Sequence, residues 1–158
     1  TMKISVQTKD FDVSHELAVM RSANPAIGAV VNFVGLVRDR NEGQDIRAME
    51  LEHYPGMTEK SLLAIAEQAQ QRWNLIDALI IHRVGVLQPM DQIVMVAAAS
   101  AHRGEAFAAC EFMMDYLKTE APFWKKETTP DGERWVDARE SDSVALSKWG
   151  ALQMNSQA

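Results

Sequence analysis

Residues 78–100 read ALIIHRVGVLQPMDQIVMVAAAS. Two apolar runs stand out in this stretch, Ala78 to Val86 and Gln92 to Ser100, each of strand length and rich in residues that suit a pleated, buried surface. They are joined around Pro89-Met90-Asp91. So short a connection allows a hairpin, whereas a parallel crossover needs a dozen residues or more. Several other neighbouring strands are also joined by short links. The sequence therefore predicts an α+β fold, with a largely antiparallel sheet flanked by helices, over a doubly wound parallel one.

Working towards the N-terminus, Met57, Leu62, Ile65, Ala66, Ala69 and Trp73 recur at helical spacing and predict a long helix after a Tyr54-Pro55-Gly56 turn. Ile46 to His53 alternates in character and predicts a strand. Gly28 to Val37 (GAVVNFVGLV) predicts another, with Gly35 as a bulge, and the two are expected to pair. Between them Arg38 to Gln44 is polar and reads as an exposed, mobile loop. Lys3 to Thr8 reads as an edge strand. Ser14 is expected to cap a short helix over His15 to Ser22, which Asn24-Pro25 ends.

Towards the C-terminus, Arg103 to Thr119 predicts a second long helix with Phe107, Cys110, Met114 and Leu117 on its apolar stripe. Pro122 bars its continuation. Phe123 to Thr128 and Glu133 to Val136 read as short strands around Pro130-Asp131-Gly132, and Ser141 as the cap of a last helix through Trp149. One domain over residues 1–150, with a frayed tail over 151–158, is expected.

The 158 residues are 47% hydrophobic and 24% charged, a mixture that can bury a core without disulfides or metal. A net charge of −6 argues against a general binder of nucleic acid or anionic membranes. Cys110 is the lone cysteine, which excludes an intrachain disulfide and fits a reducing compartment. The four histidines are scattered, and no Cys/His cluster has zinc-ligand spacing. The first residues lack the apolar stretch of a signal peptide, and no run is long enough to span a bilayer. The expectation is a cytoplasmic protein.

Three segments concentrate positive charge in this acidic chain. In Lys118-Thr119-Glu120-Ala121-Pro122-Phe123-Trp124-Lys125-Lys126-Glu127 the helix ends at Pro122, and the reversal brings Lys125 back towards Lys118. Two ammonium groups held close repel, which favours the neutral amine of one, a nucleophile or general base. The plain alternative is that lysine is simply favoured at helix C-termini. Ser100-Ala101-His102-Arg103 opens a helix, where free N–H groups attract anions and His102 and Arg103 add donors. Arg38-Asp39-Arg40 ends a strand, at a place where function often sits, although a solvated loop explains it as well. Cys110 reads as a small core residue, and His53 and His82 as satisfied strand histidines.

Several longer stretches together resemble the molybdopterin synthase large-subunit family. They are Leu51 to Lys60 (LEHYPGMTEK), Ile81 to Gly85 (IHRVG), Ser100 to Arg103 (SAHR), Met114 to Glu127 (MDYLKTEAPFWKKE) and Trp135 to Ala138 (WVDA). The resemblance implies an α/β hammerhead fold and an enzyme that builds the dithiolene of molybdopterin on cyclic pyranopterin monophosphate, precursor Z. Sulfur would come from the C-terminal Gly-Gly thiocarboxylate of a small ubiquitin-like subunit, with two large subunits as a homodimer at the centre of a heterotetramer. Lys118 and Lys125 match the family's essential lysines. Arg38, His102 and Arg103 match its phosphate-binding set, His102 and Arg103 being lent by the other protomer. Leu36, Val37, Lys126 and Glu127 are expected to line the substrate site, and Phe33, Met114 and Pro122 to wall the channel for the partner's tail. No metal or cofactor is implied. The rival readings are a binding module for a ubiquitin-like tail and a Schiff-base lysine enzyme.

Overall fold

The hairpin of residues 78–100 is present, but it serves two sheets. The computed structural model describes residues 2–41, 43–45, 47–136, 147 and 149. In chain order its elements are β1 (Met2–Gln7), α1 (Val13–Ser22), β2 (Ala29–Leu36), β3 (Arg40–Asn41), β4 (Gln44–Asp45), β5 (Ala48–His53), α2 (Met57–Arg72), β6 (Leu75–Arg83), β7 (Gly85–Leu87), β8 (Gln92–Ser100), α3 (Arg103–Glu120), β9 (Phe123–Thr129) and β10 (Gly132–Val136). The first sheet runs β1-β6-β8-β2 and the second β10-β9-β5-β7, while β3 and β4 form a small ribbon. All described strand pairs are antiparallel except β1 with β6. The α+β reading therefore stands at this level, with two sheets where one was expected.

The run expected as one strand over Ala78 to Val86 breaks at Val84-Gly85. Val84 N–H still donates to Gln7 at the end of β1, 2.9 Å away. Gly85 then takes φ +90°, a left-handed conformation a side chain disfavours, and β7 turns away to pair with β5. A continuous apolar pattern cannot reveal this switch, because both halves are strands.

The pairing expected between Gly28–Val37 and Ile46–His53 does not form. β2 lies against β8 instead, Val31 to Val34 facing Ala98 to Met95, with a register shift after Gly35. β5 joins the second sheet between β7 and β9. Burial decides this: Met49 and Leu51 of β5 sit with Val37, Val84 and Leu87 in a separate small core that only the second sheet can close. The connecting residues are not simply an exposed loop either. Arg40–Asn41 pairs with Gln44–Asp45, and the Asn41 side chain is buried.

The main core lies between the first sheet and helices α2 and α3, with Leu62, Ile65, Ile80, Val96, Phe112 and Met113 nearly inaccessible. Each such side chain contributes about 1.5–3 kcal/mol by leaving water. Phe112 is its centre, edge-on to Trp73 at 5.3 Å, with the Arg72 guanidinium 4.9 Å from its ring. A second cluster under α1 covers the other face of the sheet through Leu79, Ile81 and Met95. From Ala78 onward, past a register shift between Leu75 and Asp77, period-two alternation along β6 sends even and odd residues to the two clusters.

Local corrections follow from capping and packing. Asp12, not Ser14, caps α1, its side chain accepting from His15 N–H at 3.1 Å. Phe107 is 61% exposed, and the buried stripe of α3 is Ala106, Ala109, Cys110, Phe112, Met113 and Leu117, with Met114 at its margin. The expected last helix from Ser141 and the tail over 151–158 lie outside the described residues, apart from Ser147 and Trp149, which are helical. No described helix is long and apolar enough to cross a membrane.

Candidate active site

Helix α3 ends where the sequence predicts. Ala121 leaves helical geometry at ψ 131° and β9 begins at Phe123. The reversal is held from outside: buried Thr58 donates its hydroxyl to the Pro122 carbonyl at 3.1 Å and accepts from Tyr54 N–H at 3.0 Å. The start of α2 thus clamps the turn, and Tyr54 packs edge-on against Trp124 at 4.3 Å.

Strand alternation then sorts β9. Phe123, Lys125 and Glu127 face a pocket of about 320 Å³, whose wall also includes Lys118, Ala121, Leu36, Val37, Arg38, Arg40, Asn41, His82 and Val136. Lys118, Lys125 and Arg38, predicted from three separate elements, meet there, with Leu36 and Val37 beside them. Lys126 does not join them. It points to the other side of β9, its ammonium 3.3 Å from Glu133 and 5.4 Å from the Trp135 ring centre.

Glu127 is 3% exposed and its carboxylate is engaged within the protein. It accepts from Asn41 Nδ2 at 3.0 and 3.1 Å and pairs with Arg134 at 3.1 Å. Arg134 in turn donates to the Asn41 carbonyl. This cluster pins the β3–β4 ribbon to the second sheet and so places Arg38 and Arg40 at the pocket.

His102 and Arg103 lie elsewhere in the same chain. Both are exposed at the start of α3, and Arg103 is separated from Lys118 by about 22 Å of helix at 1.5 Å per residue. One small ligand cannot touch both ends. Glu105, in the first turn of α3, accepts from the Ser100 hydroxyl at 2.8 Å. Phe33, Met114 and Pro122 do not line the pocket; Phe33 is 43% exposed and its ring lies beside Gly35.

His82 escaped sequence reasoning, and Arg40 was noted only as part of the Arg38-Asp39-Arg40 segment, with no role of its own. His82 read as a satisfied strand histidine. It is 4% exposed, and its ring stacks on Phe123 at 3.8 Å with 19° between planes. Burial pushes its pKa down to about 3, with the Lys118 charge adding to the effect, so it is neutral at physiological pH. Among the described residues no group of acidic, His and Cys side chains could hold a metal ion.

The fold and pocket define an α+β protein with a cation-rich cleft, where two sheets meet, suited to a small anionic ligand. Residues 6–120 match the family described as MoaE protein. The chain is 63% identical over 155 residues to the molybdopterin synthase catalytic subunit of Ralstonia nicotianae, covering 98% of this chain and 88% of that one. The solved MoaE protein of Burkholderia ambifaria, described as a molybdopterin biosynthesis protein, superposes with a TM-score of 0.82 at 63% identity, covering 95% of this chain and 99% of that one. Molybdopterin synthase from Staphylococcus aureus gives 0.77 at 33% identity, over 85% and 96% of the two chains. The chain belongs to the MoaE family.

Proposed function

We propose that this chain acts as a sulfurtransferase, the catalytic subunit of a molybdopterin synthase, with the α/β hammerhead arrangement implied by its family resemblance. The observation that carries the residue roles is the convergence of Lys118, Lys125 and Arg38 on one pocket. The substrate in this reading is precursor Z, and the sulfur donor is the C-terminal Gly-Gly thiocarboxylate of a small ubiquitin-like partner in the cytoplasm. The catalytic-subunit name of the Ralstonia relative supports a partner, since it presupposes another subunit.

The thiocarboxylate sulfur attacks a side-chain carbon of the precursor; the carbon–sulfur bond forms as that carbon's bond to oxygen breaks, the departing oxygen takes a proton moved by the lysines, and partner and substrate are left joined as a thioester. Water then releases the partner as a carboxylate, and a second thiocarboxylated partner repeats the transfer. Lys118 meets the partner's terminal glycine, and with Lys125 it stabilises developing negative charge and moves protons. Phe33, Met114 and Pro122 wall the approach of the tail. Arg38 takes the substrate phosphate together with His102 and Arg103 of a second copy. The separation of about 22 Å along α3 supports that assignment, because one chain cannot close the set alone. Leu36 and Val37 supply an apolar wall. Glu127 acts from behind by anchoring the ribbon, and Lys126 is given no substrate contact.

The test is to combine the purified chain with thiocarboxylated partner and precursor and to assay dithiolene formation. Wild type should turn over and Lys118→Ala should be nearly inert. Near-normal turnover by Lys118→Ala would overturn the role given to that lysine.

A further inference from the structure

The pocket is rich in groups that only donate hydrogen bonds. Arg38, Arg40, Lys118 and Lys125 are all cations, and the Glu127 carboxylate is bonded to Asn41 and Arg134. His82 differs. Its Nδ1 lies 2.8 Å from the Arg83 carbonyl, which can only accept, so Nδ1 carries the proton and Nε2 a lone pair. Among the described residues nothing donates to Nε2, and no polar side-chain atom is both sealed and unpartnered. Nε2 therefore opens on the pocket that His82 lines.

The ring has little freedom to turn. The Nδ1–H bond fixes one edge and the Phe123 stack fixes one face. His82 stands on β6, flanked by Val6 of β1 and Val94 of β8, in a wall of the main core. Lys118 rises from the last turn of α3, where the preceding Leu117 is buried in that same core. Lys118 and His82 line the same pocket, and the Lys118 charge adds to the lowering of the His82 pKa. A rigid neutral acceptor thus shares one pocket with the Lys118 ammonium.

We propose that His82 is a positioning residue for Lys118: its Nε2 accepts a hydrogen bond from the Lys118 ammonium and directs it into the pocket. This rests on the sulfurtransferase reading only for its consequence; the proposed contact lies within one chain, so it can be tested without substrate or partner. A neutral imidazole suits the task, because a protonated one would add a donor and repel the lysine. Without this acceptor the Lys118 ammonium loses one contact that directs it, and fewer of its rotamers present it to the reacting atoms.

Two measurements test it. The first is the 15N spectrum of histidine-labelled protein, compared between wild type and Lys118→Met. His82 Nε2 should give an unprotonated signal shifted by hydrogen bonding in wild type, and it should move to the free unprotonated position in Lys118→Met. An unchanged signal overturns the proposal, whatever the function of the chain. The second compares His82→Phe, which keeps the stacked ring, with His82→Gln, which restores an acceptor near Nε2. Turnover should fall about tenfold in His82→Phe with little change in KM, and His82→Gln should recover most of it. Equal loss in both variants, or none in His82→Phe, overturns it. If wild type itself makes no dithiolene, the functional reading fails while the spectrum still decides the contact.

Discussion

Asn41 donates its side-chain amide to both carboxylate oxygens of Glu127, at 3.0 and 3.1 Å, across a separation of 86 residues. The bond ties a two-residue strand of the ribbon to the centre of β9 and is backed by Arg134. Glu127→Ala should leave Asn41 and Arg134 without their carboxylate and cost about 2–3 kcal/mol, discounted because Arg134 is partly exposed. Urea unfolding checks the cost. Freed from its anchor, the ribbon should also hold Arg38 less well, raising KM for the precursor more than it lowers kcat.

Lys118 is exposed, so its replacement should separate chemistry from folding. Lys118→Ala should lose about a hundredfold or more of turnover, the scale of removing a group that stabilises transition-state charge. Its melting temperature should stay within a degree or two of wild type, a surface change costing little. Parallel calorimetry and dithiolene assays decide this.

His82 makes stability depend on pH in a definite direction. Its folded pKa is about 3, against 6.5 for an unperturbed histidine, chiefly through burial. The unfolded chain then binds the extra proton between those values, and the folded chain does not. Stability is full above about pH 6.5 and falls as pH drops towards 3, approaching a slope of about 1.4 kcal/mol per pH unit from this group. Urea midpoints for wild type and His82→Phe across that range should diverge, the variant being flatter. Equal slopes would show that His82 is not held neutral.

Gly28 sits against the strand end that leads into α3. A Cβ there would come within 2.1 Å of the Ala101 carbonyl oxygen, and its own N–H donates to the Ser100 carbonyl at 2.9 Å. Backbone cannot yield as a side chain does, so Gly28→Ala should destabilise by about 1–3 kcal/mol. The displaced segment carries His102, so activity should fall further than the melting temperature alone accounts for.

If His102 of one copy completes the pocket of another, inactive chains should rescue each other. Equal amounts of Lys118→Ala and His102→Ala, unfolded and refolded together, should regain about a quarter of wild-type activity. Half of the randomly formed dimers are mixed, and each of those carries one intact site of two. No recovery on mixing would place His102 outside a shared site.

Much of the local structure was legible beforehand. α2 and α3 follow from apolar residues at helical spacing, and the Pro122 stop from its missing N–H. The β9–β10 hairpin follows from Pro130-Asp131-Gly132. Of the site, Lys118, Lys125 and Arg38 were found through charge and motif. His82 was not, being concealed in an apolar run, and Arg40 was seen only as part of a charged segment, because neither pattern says which side chains share a cavity.

By itself the sequence determined the kinds of element, their order, and a lysine pair about a proline turn, since these depend on propensity and period within a few residues. Only the tertiary structure decided which strands are neighbours, that Gly85 hands the chain from one sheet to the other, and that Glu127 is an anchor. The physical reason is range. Strand partners are chosen by burial between surfaces far apart in the chain, and Met49 and Leu51 find their cover on β7 and Val37, not on the strand next in sequence.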